Sequence, residues 1–109
     1  MRYSNWDVGG ELVKKDSRYI VRDNTSLNNL VVSSTMLWAG KSTTGHRHAG
    51  QEEVYVFVSG RGKMELDHKI IDVAAGDTVL VEDNVFHKVH NHSDYGLKFL
   101  CIFDGGRNH

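Results

Sequence analysis

Short apolar runs separated by turn-forming residues constrain the fold of this chain more than any other feature of its sequence. The runs Leu30–Trp38, Glu53–Val58 and Tyr95–Phe103 are rich in β-branched and aromatic residues, and none of them shows helical periodicity. Clusters of Gly, Asn and Asp, which favour turns, lie between these runs. Short strands at regular spacing predict an all-β domain, either a sandwich or a barrel.

The run Glu53–Val58 is apolar on both faces. Successive side chains of a strand point to opposite faces, so Tyr55 and Phe57 share one face with Glu53. The other face holds Val54, Val56 and Val58. A strand of this composition is covered on both sides. In a small barrel, the N-terminal arm or another subunit must then cover the outer face, and the three valines predict a homodimer.

Length and composition favour one globular domain. The chain has 109 residues, of which 39% are hydrophobic and 25% are charged, as in ordinary soluble proteins. We expect a single domain over residues 1–109. Residues 1–11 are predicted to form an N-terminal arm whose Tyr3 and Trp6 dock on a surface, and residues 104–109 are predicted to form a flexible tail.

Charge and cysteine content narrow the partners and the compartment. The formal net charge of −1 provides no general basic field for nucleic acid or a membrane surface. No apolar run approaches the roughly 20 residues that span a bilayer, and the N-terminus lacks the apolar core of a signal peptide. The single cysteine, Cys101, rules out an internal disulfide framework and fits a reducing environment. We therefore expect a cytoplasmic protein with a small-molecule substrate and no nucleic-acid or membrane partner.

Three polar residues near the central run suggest a metal site. His46 and His48 are two residues apart, so both imidazoles project to the same face if this segment is extended. Glu53 opens the apolar run, and burying an unpaired carboxylate costs several kcal/mol. A cation would compensate that charge, and mixed nitrogen and oxygen ligands suit a divalent first-row metal. The alternative is a pair of solvated histidines on a polar strand.

The same residues resemble the first sequence motif of the cupin family. That motif is written G-x5-H-x-H-x(3,4)-E-x6-G. Every spacing is matched by Gly40, His46, His48, Glu53 and Gly60. Glu53 is chosen over its neighbour Glu52 because only Glu53 leaves six residues before the final glycine.

The second cupin motif is written G-x5-P-x-G-x2-H-x3-N, and the chain matches it at Gly76, His87 and Asn91. Glu82 stands where proline is usual, and Asn84 stands where glycine is usual. Asn accepts a left-handed backbone nearly as well as Gly does. The turn before the motif histidine is therefore expected to be retained.

The resemblance implies a small double-stranded β-helix, or jelly-roll barrel, that holds one divalent transition metal ion. The residues that match the family's ligand positions are His46, His48, Glu53 and His87. The ion could be Fe, Mn, Ni or Zn. Four protein ligands leave one or two positions of an octahedral ion open to water, substrate or dioxygen. The alternative is a metal-free barrel that is lined by the same histidines.

One local signature resembles the cupin-type phosphoglucose isomerases. The letters TTGHRH from residue 43 and EVY from residue 53 resemble their T-x-G-H-x-H…E-x-Y pattern. The resemblance implies that Thr43 and Gly45 help to hold a phosphate, and that Glu53 or Tyr55 moves a proton. The gap between the second histidine and the glutamate is shorter here, and the upstream Pro- and Glu-bearing segment is absent. Strand alternation places no Lys or Arg inside, so a phosphate would need loop residues such as Lys41. We predict an isomerase that acts on a small sugar or sugar phosphate.

Two other functions remain open. Three histidines and one glutamate resemble the ligand set of several cupin dioxygenases, so an Fe(II)-dependent dioxygenase with a small organic substrate is one alternative. Met36 and Trp38 are expected to line its apolar pocket. A non-enzymatic cupin that binds a small ligand is the other alternative, because fold alone does not give function. His90 is expected at the surface, on the face opposite His87, and Cys101 is expected in the core.

Overall fold

A computed structural model describes residues 1–107, which contain nine β-strands and no helix. The strands are β1 (Glu11–Lys15), β2 (Tyr19–Asn24), β3 (Leu30–Leu37), β4 (Glu53–Ser59), β5 (Arg61–Leu66), β6 (Lys69–Ala74), β7 (Thr78–Val81), β8 (His87–His90) and β9 (Leu97–Asp104). The all-β prediction is confirmed. Residues 1–107 also contain no helix that is long and apolar enough to cross a membrane.

Two antiparallel sheets enclose one core. The larger sheet has the strand order β1-β2-β3-β9-β4-β7, and the smaller sheet has the order β6-β5-β8. Buried side chains from both sheets form one hydrophobic cluster. Phe57 and Phe99 contribute from the larger sheet, while Met64 and Val89 contribute from the smaller one, and all four are almost fully buried. This arrangement is the predicted double-stranded β-helix.

The N-terminal arm covers the middle of the larger sheet's outer face. Val8 is buried, and its carbonyl accepts a hydrogen bond of 2.6 Å from the side-chain amide of Asn24. Lys98 lies under the arm, where its ammonium donates to the carbonyl of Trp6 and lies 5.4 Å from the centre of the indole ring. Ser34 points outward from β3 and is nevertheless buried. The arm therefore provides part of the cover that the apolar strands require.

The C-terminal segment predicted as a tail from residue 104 begins within a strand. Strand β9 continues through Asp104, and the amide of Gly105 donates to the carbonyl of Asn29 at 2.7 Å. Arg107 then forms an ion pair with Asp23, with Nε and Oδ2 separated by 2.7 Å. Residues 108 and 109 lie outside the described residues.

The second motif forms a fixed turn before β8. Asn84 has φ of 63°, which is the left-handed conformation expected at this position. Its amide donates to the carbonyl of His48 at 2.9 Å, which ties the turn to the histidine segment. Asn91 is buried, and its side-chain amide donates to the carbonyls of Leu37 and Tyr95. Both asparagines therefore hold the ends of β8, the strand that carries His87.

Candidate metal centre

Three buried side chains converge between the two sheets. One ligand atom from each of His48, Glu53 and His87 lies within 4.8 Å of the other two. The Nε2 atoms of both imidazoles are 3.3 Å from Oε1 of Glu53. Glu53 opens β4 in the larger sheet and His87 opens β8 in the smaller sheet, so the site joins the two halves of the sandwich.

Backbone pairing places the histidine segment against β8. The amide of His46 donates to the carbonyl of His87 at 3.0 Å, and the amide of His87 returns a bond of 2.9 Å. The amide of Thr43 donates to the carbonyl of Val89, further along the same two segments. The segment is therefore extended, and the rings of His46 and His48 stack with their centroids 5.5 Å apart, as strand alternation requires.

His46 lies beside the three converging residues but outside their 4.8 Å group. Its ring centroid is 6.4 Å from that of His87, and its side chain lines the adjoining cavity. Burial, followed by the charge of Lys14, lowers the pKa of His46 to about 4. The imidazole is therefore neutral at physiological pH, which is the form that binds a metal ion.

The buried atoms of the site fit a metal ion. Oε1 of Glu53 and Nε2 of His87 have no hydrogen-bond partner within residues 1–107, because their 3.3 Å contact lacks hydrogen-bond geometry. Leaving such atoms unsatisfied costs about 1–3 kcal/mol each, and more for a charged group. Nδ1 of His87 lies 3.0 Å from the carbonyl of Val85, which assigns the proton to Nδ1 and leaves the Nε2 lone pair facing the site. Two imidazoles and one carboxylate suit a divalent first-row metal.

The protonation state of His87 also reflects this arrangement. Burial alone would lower the pKa of His87. The carboxylate of Glu53 and the carbonyl of Val85 together raise it by more than burial lowers it, so the pKa lies above its ordinary value. The raised pKa of His87 shows that Glu53 favours a positive charge at this position.

A small cavity adjoins the three residues. Its volume is about 40 Å³. The polar side chains around it include Lys14, Thr43, Thr44, Tyr55 and Arg107. Thr43 and Thr44 are both already engaged: Oγ1 of Thr43 accepts from the amide of Val89 at 3.0 Å, and Oγ1 of Thr44 accepts from Arg18 at 2.7 Å.

Gly45 has a packing role in this segment. A β-carbon at this position would lie 2.2 Å from the ring of Phe86, so any other residue would require that ring to move. Gly45 is not among the residues that line the cavity. Of the two residues implied to hold a phosphate, Thr43 reaches the cavity and Gly45 supports the wall.

Tyr55 is buried between the candidate ligands and the aromatic core. Its ring lies 5.8 Å from that of His87 at a nearly perpendicular angle, and 5.5 Å from that of Phe99 in a stacked arrangement. Burial, followed by the neighbouring Cys101 and Glu53, raises the pKa of Tyr55 well above its ordinary value. The phenol is therefore protonated and can donate a hydrogen bond.

The prediction that Met36 and Trp38 line the pocket is wrong. Pairing of β3 with β9 sets Thr35 opposite Phe99, and this register turns the odd-numbered residues of β3 inward. Thr35 lines the cavity, whereas Trp38 is 40% exposed. The thioether of Met36 packs on the outer side against Gly96. Strand alternation separates the two faces of β3, but it does not say which of them is buried.

Two cationic side chains that were not predicted from the sequence line the cavity. Lys14 reaches it from β1, and Arg107 reaches it from the end of the chain. Arg107 is positioned by Asp23 and by Ser33, whose hydroxyl accepts from Nη2 at 2.8 Å. No short motif marks either residue, because both positions depend on which strands pair.

His90 is half-buried on the outer side of the smaller sheet. Its Nδ1 lies 2.7 Å from the hydroxyl of Ser42, and its Nε2 lies 2.6 Å from Oε1 of Glu65. It faces away from His87, as expected, and links the loop before the histidine segment to β5.

The comparisons with known proteins agree with this architecture. The family model described as a cupin domain matches residues 34–103, which is more than half of the chain. An uncharacterised protein of Methanocaldococcus jannaschii is 30% identical over 94 residues, covering 76% of this chain and 75% of that protein. An oxalate-binding protein of Thermotoga maritima is 29% identical over 63 residues, which is 58% of this chain and 52% of that protein.

A solved structure gives the same result for the fold. A cupin-2 domain from Rhodospirillum rubrum superposes with a TM-score of 0.80 at 20% identity, covering all of this chain and 76% of that one. At this identity the likeness concerns the fold alone. The family match, the two motifs and the two-sheet architecture together establish that this chain belongs to the cupin family.

Proposed function

We propose that this cupin is a metal-dependent enzyme that moves a proton on a small carbonyl-bearing substrate, as an isomerase acting on a small sugar or sugar phosphate does. The observation that carries the proposal is the position of Tyr55. Its buried phenol lines the cavity together with Glu53 and His87. Because burial keeps the phenol protonated, it can donate a hydrogen bond to a substrate oxygen at neutral pH.

In this proposal the histidines bind the metal ion, Tyr55 takes part in proton transfer, and Glu53 has both roles. His48, Glu53 and His87 would hold the ion, with His46 as a fourth ligand. When bound, the ion would polarise the substrate carbonyl as a Lewis acid. Glu53 would accept the proton from the carbon beside the carbonyl, and Tyr55 would donate one to the carbonyl oxygen. The enclosed walls strengthen these hydrogen bonds relative to water.

The cavity restricts the part of the substrate that reacts. Its volume of about 40 Å³ is roughly three times the ~10–15 Å³ that a cavity needs to hold one water molecule. The cavity therefore admits only a few non-hydrogen atoms. The remainder of a sugar would have to extend out of the cavity toward solvent.

A second candidate is a cupin that binds a small ligand without transforming it. The relative named as an oxalate-binding protein favours this alternative, since its name describes binding and not a reaction. The small cavity is compatible with a ligand of that size. This candidate uses the same metal ligands and gives Tyr55 no catalytic role.

Solvent deuterium exchange separates the two candidates. The protein, loaded separately with Mn²⁺, Fe²⁺, Ni²⁺ or Zn²⁺, is incubated in D₂O with a panel of small hydroxyaldehydes, hydroxyketones and their phosphates. We expect deuterium to appear at the carbon beside the carbonyl, as followed by NMR. Tyr55→Phe is expected to slow this exchange by about 10²–10⁴-fold, the usual contribution of a positioned proton donor.

Metal content and melting temperature serve as controls for Tyr55→Phe, because the substitution removes one hydroxyl and should change stability by only about 1 kcal/mol. Exchange that proceeds equally fast in Tyr55→Phe with its metal retained would contradict the proposed role of the phenol. Ligand binding without exchange for any metal would favour the binding protein, and oxygen consumption would favour a dioxygenase.

A further inference from the structure

Arg47 lies between the two histidines of the first motif, and its side chain points away from the cavity. The rings of His46 and His48 stack on one face of the extended segment, so strand alternation turns Arg47 to the other face. Its side chain is 51% exposed, and Arg47 is not among the residues that line the cavity. Arg47 therefore contacts neither the candidate ligands nor the space where a substrate would react.

The guanidinium of Arg47 instead reaches two turns on the outer side. Its Nη1 donates to the carbonyl of Asn84 at 2.6 Å, in the turn that precedes His87. Its Nη2 donates to Oδ1 of Asp67 at 3.2 Å, in the two-residue turn between β5 and β6. A guanidinium suits such a bridge because its donors diverge in a fixed plane, which a lysine ammonium cannot reproduce.

Asp67 connects Arg47 to the residue that precedes His87. Its Oδ1 also accepts from the amide of Phe86 at 2.9 Å, and its own amide donates to the carbonyl of Phe86 at 2.9 Å. The ring of Phe86 packs in turn against Gly45, in the histidine segment. One carboxylate is therefore bonded both to the histidine segment and to the start of β8.

The relative position of these two segments decides the geometry of the metal centre. His48 comes from one segment and His87 from the other, and the Nε2 atoms of both lie 3.3 Å from Oε1 of Glu53. His48 lies between β3 and β4, outside the nine strands, so contacts other than sheet pairing help to fix its position. Functional side chains have to be held within about 0.5 Å of their productive arrangement. Contacts on the outer side can therefore affect metal binding without touching the ion.

We propose that Arg47 is a positioning residue for the metal centre. Together with Asp67, it holds the histidine segment against the turn before β8, so that His48 and His87 present their nitrogens to the same ion. This inference rests on the metal binding of the proposed function and not on its proton transfer. Charge alone predicts the opposite effect: a positive side chain repels a metal cation, so its removal would strengthen metal binding, whereas the loss of positioning weakens it.

Titration of metal-free protein with Co²⁺, followed by visible absorption, tests the inference, because the absorption bands report the geometry of the ligands. Arg47→Met is expected to weaken Co²⁺ affinity by about tenfold, the lower end of the range for lost supporting contacts, and to change the bands. Lys63→Met is the matched control. It removes the same charge from another exposed ion pair of the smaller sheet, in which Lys63 lies 2.6 Å from Asp72. It should leave the affinity and the bands unchanged.

Further variants separate positioning from a general loss of stability. Arg47→Lys keeps the charge and one point of contact, so it should restore part of the Co²⁺ affinity. Asp67→Asn removes the ion pair, keeps an oxygen for the amide of Phe86 and tolerates the φ of 53°. Combined with Arg47→Met, it should cost no more affinity than Arg47→Met alone. Because the ion pair is exposed, the metal-free variants should melt close to the wild type.

Co²⁺ affinity and bands that are the same in wild type and Arg47→Met would overturn the inference, and so would tighter binding by the variant. A metal-free Arg47→Met protein that melts well below the wild type would assign Arg47 to folding and not to the metal centre. A wild type that binds no Co²⁺ would remove the metal centre together with this inference. A wild type that binds Co²⁺ but exchanges no deuterium would contradict the proposed reaction alone, and the Arg47 comparison would still decide the positioning role.

Discussion

Glu53 carries the charge around which the site is built. Its carboxylate is 3% exposed, and its Oε1 faces two imidazole nitrogens at 3.3 Å. An imidazole compensates a buried carboxylate fully only when it is protonated, and an unpaired buried charge is costly. A divalent ion would compensate the carboxylate and engage both nitrogens, so we expect metal binding and folding stability to be coupled.

We predict that protein purified without chelator holds about one divalent ion per chain, and that His48→Ala loses it. Removing a direct ligand should weaken metal affinity by at least the roughly 10–100-fold that is typical of changes in the supporting shell. Elemental analysis of dialysed protein measures the content. His92→Ala is the control, because His92 is exposed and stacks on His90 outside the site. Full metal content in His48→Ala would contradict the assignment.

The stability of the same protein gives a second measure of this prediction. An ion present at 1,000 times its dissociation constant adds about 4 kcal/mol to the free energy of unfolding. A chelator should therefore lower the melting temperature of the wild type and leave that of His48→Ala unchanged.

Cys101 is predicted to be unreactive in the folded protein. It is 6% exposed, and burial, followed by the charge of Glu53, raises the pKa of its thiol. The reactive form is the thiolate, so a raised pKa keeps the thiol protonated and inert even in mildly alkaline buffer. Because Cys101 is the only cysteine, the extent of labelling by a thiol reagent at pH 8 reports on it directly. We expect slow labelling that becomes rapid in denaturant, and rapid labelling of the native protein would show that the thiol is accessible.

At the level of strands, sequence pattern located the elements that alternate regularly. The runs predicted over Leu30–Trp38 and Glu53–Val58 correspond to β3 and β4, and the spacing of the two cupin motifs led to the three residues that converge. These features depend on local periodicity, which the sequence contains.

Strand β1 shows why the cationic residues of the cavity could not be predicted from the sequence. Its bulge interrupts the two-residue period, so the segment Glu11–Lys15 shows no strand pattern, and the direction of Lys14 depends on pairing with β2. Arg107 is likewise positioned by Asp23, which lies far away in sequence. Both cations of the cavity are therefore consequences of long-range pairing, and the sequence predicted a cavity without basic residues.

At the scale of the whole molecule, an apolar row crosses the outer face of the larger sheet. Strand register places Leu80, Val54, Ile102 and Val32 side by side on four neighbouring strands. Leu80 is 69% exposed, and it lies on β7, the edge strand of that sheet. The N-terminal arm is bonded to β2 and β9 and does not cover Leu80. Exposed apolar rows on a sheet edge favour association.

We predict that a second copy of this chain covers the row, so that the protein is a homodimer at micromolar concentration. Leu80→Glu places a charge in the row and should shift the protein to the monomer, because burying an unpaired carboxylate in an interface is unfavourable. Ile70→Glu is the matched control: Ile70 is 64% exposed, but it lies on β6 in the smaller sheet, and its substitution should leave the mass unchanged. Light scattering coupled to size-exclusion chromatography measures the mass of each variant. A monomeric wild type at this concentration, or a Leu80→Glu variant that remains dimeric, would show that the row has another role.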